Sequence, residues 1–96
     1  MVVDLVTFRV KSGRQADFER HCEEWARLLR RSRGFIGQIL LKNAEDPTDY
    51  RMELRWASRE YRDRFLARQD GETQALLKAS AALLESSPAR SLLEAV

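Results

Sequence analysis

The sequence predicts an α+β domain in which four antiparallel strands carry their helices on one face. Three observations predict it. Residues 2–10 and 50–56 alternate apolar and polar side chains, the period of a half-buried strand. Residues 14–33 instead repeat apolar side chains at steps of three and four, the stripe of an amphipathic helix. The segments follow one another as β-α-β-β-α(α)-β, with turn residues at the junctions.

Each element has its own signal. In the first strand Val6, Phe8 and Val10 point one way, and Leu5, Thr7 and Arg9 the other. Residues 11–13 form a turn, with Ser12 placed to cap the helix that follows. Phe18, Cys22, Trp25 and Leu29 make its apolar stripe, and Gly34 ends it. Residues 35–43 read as a second strand, and residues 44–49 as a loop holding Pro47. The third strand sets Tyr50, Met52, Leu54 and Trp56 on one face and Arg51, Glu53 and Arg55 on the other. Ser58 can cap a helix running to about Asp70 with Tyr61 and Phe65 at i,i+4 spacing, and Gly71 interrupts it. Residues 72–87 are rich in alanine and leucine and predict a third helical segment, stopped by Pro88. Residues 91–96 read as the last strand.

This order is the split βαββαβ pattern of the ferredoxin-like fold. Its helices cover one side of the sheet. The other side would carry Leu5, Thr7, Arg9, Arg51, Glu53 and Arg55, while the second and last strands are apolar on both faces (Phe35, Ile36, Ile39, Leu40, Leu41; Leu92, Leu93). A partly apolar sheet face of this size calls for a partner, and a homodimer through that face is the expectation.

A chain of 96 residues makes a single domain, 1–96, with a modest core. No apolar run reaches the ~18 residues of a membrane span, so no membrane partner is expected. Asp4 interrupts the apolar start of the chain and no basic lead precedes it, which argues against a signal peptide and for a cytoplasmic location. Cys22 is the lone cysteine, in keeping with a reducing compartment. The net charge of +2 hints at nucleic acid, but the densest basic run, residues 27–33, falls in the last turns of a helix whose first turns are acidic. With no glycine-rich loop or interleaved aromatics beside that run, no nucleic-acid partner is expected.

Trp56 stands where a strand hands over to a helix, placed to pack on Phe65 and Trp25 or to wall a cavity in which a planar ligand stacks. His21, the only histidine, lacks the neighbours a metal site needs, but it titrates where a general base is useful. Tyr50 and Tyr61 offer phenols to a quinone or hydroxyl oxygen. Cys22 sits within the helix stripe, as a small buried hydrophobe does. No hydrolase triad, P-loop or GxGxxG pattern is present.

Three stretches in register resemble the antibiotic biosynthesis monooxygenase (ABM) family: F-x-V-x-x-G at residues 8–13, RGFIGQILL at 33–41 and YRMELRWASREY at 50–61. The resemblance implies a ferredoxin-like domain that pairs through its sheet into a dimeric α/β barrel. It implies a monooxygenase that oxidises a small hydrophobic aromatic or quinol with molecular oxygen and no metal or flavin cofactor. His21 or Tyr61 would be the base, and Trp56 the wall, with Trp25, Tyr50 and Phe65 beside it. Family members of this kind carry an asparagine four residues before the tryptophan and a tyrosine six after; here Met52 and Arg62 stand there. The haem-cleaving branch would need a histidine and an asparagine where this chain has Leu66 and Val6. The alternatives are therefore a non-catalytic dimeric barrel that binds a small apolar molecule, and, third, haem binding.

Overall fold

The computed structural model describes residues 1–68 and 70–96. The chain runs through β1 (Val2–Arg9), α1 (Gln15–Arg30), β2 (Phe35–Lys42), β3 (Asp49–Trp56), α2 (Arg59–Leu66), α3 (Gly71–Leu83) and β4 (Ala89–Glu94). The strands form one antiparallel sheet in the order β2-β3-β1-β4, the ferredoxin-like arrangement.

Register decides which side chains share the covered face. Across the sheet, Phe35, Trp56, Val2 and Glu94 make one row; Gln38, Leu54, Asp4 and Leu92 the next; and Leu40, Met52, Val6 and Arg90 a third. β2 keeps this register through a bulge between Phe35 and Gly37, which turns Ile36 out to solvent. Val2, Val6, Met52, Leu54 and Trp56 are buried, and with Phe18, Cys22, Leu28 and Leu29 of α1 they form the core. The opposite face is open, and on it Ile39, Leu41 and Leu93 remain 40%, 47% and 49% exposed.

The structure moves several expected boundaries. Ser12 does not cap α1; Arg14 holds the N-cap position without a side-chain bond, after Gly13 at φ +83°. The helix expected to reach Asp70 stops at Leu66, and Gln69 lies outside the described residues. Gly71 does not break a helix but opens one: the Asp70 carboxylate accepts the Thr73 N–H at 2.9 Å, an N-cap that starts α3. α3 ends at Leu83, before residue 87, because the end of the first strand competes for its backbone. Leu84 bridges Val10, Lys11 N–H donates to the Leu83 carbonyl at 2.9 Å, and Glu85 N–H donates to Arg9 at 2.8 Å. β4 begins at Ala89, two residues before the expected start.

Gly34 joins two of the sequence stretches physically. It has φ +83°, and a Cβ built on it would lie 2.2 Å from the Tyr61 ring. Its carbonyl accepts the Ala57 N–H at 2.7 Å. Only glycine supplies both the backbone angle and the room. The start of β2 and the β3–α2 handover are therefore one packed unit.

Candidate active site

α3 packs on α1 and spans the sheet at a distance, and the space between them is a cavity of ≈ 140 Å³. Its floor is the covered sheet face: Val6, Met52, Leu54 and Trp56, with Asp4 among them. The α1 stripe, with Phe18, His21, Cys22 and Trp25, lines another side; Phe65 closes the end under α2, and Thr73, Leu77 and Ser80 face in from α3. Four lining residues, Leu66, Leu77, Pro88 and Arg90, are themselves exposed, and they mark the mouth.

The aromatic wall is continuous. Trp56 is 1% exposed and meets Phe35 edge-on at 5.1 Å between ring centroids and Phe65 at 5.5 Å. Phe65 meets Trp25 at 6.2 Å, and Trp25 meets His21 at 6.3 Å. Trp56 thus both fills the core and walls the cavity. Its indole N–H is buried with no hydrogen-bond partner.

His21 is held at the wall by two neighbours. Its Nε2 lies 2.5 Å from Ser80 Oγ, and the Trp25 indole, which can only donate, gives its N–H to Nε2 at 3.0 Å and to Ser80 Oγ at 3.2 Å. The single Ser80 hydroxyl proton is shared between the imidazole and the Leu76 carbonyl at 3.0 Å, the tie within α3 that fixes its hydroxyl. Burial pushes the imidazole below its ordinary pKa of 6.5, against smaller opposing effects from Glu24 and the Leu76 carbonyl. That direction favours the neutral imidazole at pH 7. Burial likewise pushes the Cys22 thiol up to about 12, so this cavity-lining sulfur is an unreactive hydrophobe.

Asp4 is the cavity's charged wall, 1% exposed. Arg62 Nε reaches both carboxylate oxygens at 3.1 Å, and Arg90 comes within 3.7 Å. A carboxylate this deep persists only when paired. Arg62, in the position where the family resemblance implies a tyrosine, here holds Asp4 and does not line the cavity.

Four of the six sequence-nominated residues, His21, Trp25, Trp56 and Phe65, therefore meet around one space. The two tyrosines do not join them. The Tyr50 ring packs on the cavity-lining Phe18 at 4.9 Å without reaching the cavity itself, and its hydroxyl donates to Glu19 at 2.5 Å. Burial and that carboxylate push its phenol above the ordinary range. Tyr61 lies against Gly34, flanked by the guanidinium groups of Arg33 and Arg64 at 6.0 and 5.7 Å. Among the described residues no group of acidic, histidine and cysteine side chains is placed to hold a metal. Sequence reasoning missed Asp4, Ser80 and Arg90. Asp4 did carry a signal, as a lone acid on the inward side of a strand between Val2 and Val6.

A sequence model of the family described as antibiotic biosynthesis monooxygenase matches residues 1–72. The cavity walls contributed by Thr73, Leu77, Ser80, Pro88 and Arg90 lie beyond that match. Among solved structures, SnoaB, a cofactor-independent oxygenase from Streptomyces nogalater, is 25% identical at a TM-score of 0.87, over 99% of this chain and 92% of that one. A protein of unknown function from Nitrosomonas europaea is 22% identical at a TM-score of 0.81, over 99% of this chain and 88% of that one. A conserved protein from Methanosarcina mazei Go1 shares the fold at 14% identity and a TM-score of 0.84, over 98% of this chain and 92% of that one. No curated protein matches the sequence.

Proposed function

The chain belongs to the antibiotic biosynthesis monooxygenase family, and on that premise we propose that it is a cofactor-independent monooxygenase for a small hydrophobic aromatic or quinol substrate. One observation carries the reading: a buried histidine, His21, stands in the wall of a cavity otherwise lined mainly by aromatic and aliphatic side chains. The chemistry needs a base, a stacking surface and exclusion of water. A substrate CH₂ beside a carbonyl gives one proton to the His21 imidazole, leaving an electron-rich enolate. The enolate is oxidised by molecular oxygen with formation of a C–O bond, and the resulting peroxide anion takes the proton back to become a hydroperoxide. Loss of water, which removes the second hydrogen from that carbon, leaves a new carbonyl. One oxygen atom ends in the product and the other in water.

Trp56, Phe65 and Trp25 supply the stacking surface, and Ser80 with Trp25 holds His21 in place. A void of about 150 Å³ accepts a benzene-sized ring. The cavity therefore takes the reacting ring, while further rings of a larger substrate lie across the exposed lip of Leu66 and Leu77. Anthrone incubated with the protein in air is expected to give anthraquinone faster than in buffer, and Trp56→Phe to slow it. A rate equal to buffer removes the reading.

Met52 and Arg62, at the positions where the resemblance implies an asparagine and a tyrosine, favour a second reading, ligand binding without turnover. Calorimetric binding of anthrone with oxygen uptake at the buffer rate would select it. Under either reading the protein works as a homodimer closed through the open sheet face, where Ile39, Leu41 and Leu93 are exposed. Leu41→Glu is expected to halve the mass seen by sedimentation; a monomer in the unaltered protein contradicts the dimer.

A further inference from the structure

Five ionic side chains run in alternating sign from the outer side of α2 to the cavity wall. Arg59 lies 3.8 Å from Asp63, Asp63 2.9 Å from Arg62, Arg62 3.0 Å from Asp4, and Asp4 3.7 Å from Arg90. Three cations thus face two carboxylates, both held closely by Arg62, and Arg90 is the loosely paired cation at the inner end as Arg59 is at the outer one. Arg62 already engages both oxygens of Asp4 at 3.1 Å, whereas Arg90 stands beyond hydrogen-bonding distance of them. Among the described residues Arg90 has no other carboxylate within ion-pairing range.

The sheet explains why this cation faces inward. β4 is an edge strand, and its register sets Arg90 beside Val6 on the covered face, at the mouth with Leu66, Leu77 and Pro88. Its side chain is still 42% exposed, so a ligand seated across the mouth would cover it. Covered by a neutral ligand, the guanidinium would lose water and gain no acceptor. Covered by an acidic one, it would form a charge-assisted pair in a less polar setting, with the planar two-donor edge that suits a carboxylate. A cationic group would meet Arg90 alone, with the Asp4 carboxylate already engaged by Arg62 behind it.

We infer that the mouth is an anion subsite: Arg90 pairs with a carboxylate on the planar substrate whose reacting ring lies in the cavity. This specificity rests on the aromatic-substrate reading above and narrows it to acidic aromatics. Asp4 positions Arg90 and, being neutralised by Arg62, does not repel the ligand.

The test is calorimetric titration at pH 7 and low salt with two probes that differ only in the acid, 1-naphthol and 1-hydroxy-2-naphthoate. The acid is expected to bind about five-fold or more tighter, a difference of about 1 kcal/mol, and the preference to shrink in 1 M salt. Arg90→Gln should abolish the preference, the acid losing clearly more affinity than 1-naphthol, and Arg90→Lys should keep part of it. Equal affinities in the unaltered protein, or an equal loss for both probes in Arg90→Gln, would overturn the subsite and leave the aromatic cavity standing. Failure of both probes to bind would remove the cavity reading with it.

Discussion

The two sides of Trp56 are built on opposite terms. On one, the handover from β3 to α2 closes without spare volume: Phe35 lies edge-on to the indole and Tyr61 occupies the space where a side chain on Gly34 would have to go. On the other, the same indole borders open space ringed by His21, Ser80 and Asp4. The tight side carries the recognisable sequence stretches; the open side draws much of its chemistry from α3 and β4, which carry none. Close packing constrains residue identity at many neighbouring positions at once, so it writes a motif. A cavity wall constrains a few positions far apart in sequence, and those leave none.

The largest test of this contrast removes the partner of the buried acid. Arg62→Met leaves the Asp4 carboxylate with only the distant Arg90, and a loss of about 3 kcal/mol is expected, at the low end for a broken buried pair. Asp4→Asn together with Arg62→Met should recover part of it in urea titrations. A single variant as stable as the parent would mean that Asp4 is not a committed charge.

Next, Gly34→Ala forces a Cβ into the Tyr61 ring at a backbone angle that alanine avoids, and about 2 kcal/mol or more should be lost. Tyr61→Ala in that background should restore some stability by removing the collision, though not the backbone strain. If Gly34→Ala is neutral, the tight side is not tight.

The open side responds to pH. Burial depresses the folded-state pKa of His21 below the 6.5 of the unfolded chain, so the unfolded state binds the proton more readily. Stability from this group is fully present above pH 6.5 and is lost as pH falls below it. His21→Gln should flatten that part of the curve, measured by urea midpoints between pH 7.5 and 5. An unchanged slope would place the imidazole in water. The smallest effect belongs to Ser80→Ala, which removes neutral hydrogen bonds and should cost about 1 kcal/mol.

Alternation in the strands, the α1 stripe and the order of elements were legible in the sequence because each is a local periodicity. The helix ends were less so. α3 stops where Val10 and Arg9 capture the backbone of Leu84 and Glu85, a pairing between segments more than seventy residues apart. At the site, Trp56, Trp25, Phe65 and His21 were legible as large or titratable groups on inward faces. Tyr50 and Tyr61 looked equivalent to them, since inward direction was visible and the position of Gly34 against Tyr61 was not. Arg90 was hidden for the same reason: only the register of β4 on β1 sets it on the covered face.

In the proposed reaction His21 takes a proton from an aromatic substrate bound against Trp56. The most direct measurement is the pH profile of anthrone-dependent oxygen uptake, corrected for buffer, in the unaltered protein and in His21→Asn. The rate should rise with pH to a plateau, with its midpoint below 6.5, and the variant should lose both the rise and most of the rate. The same profile and rate in both proteins would contradict it.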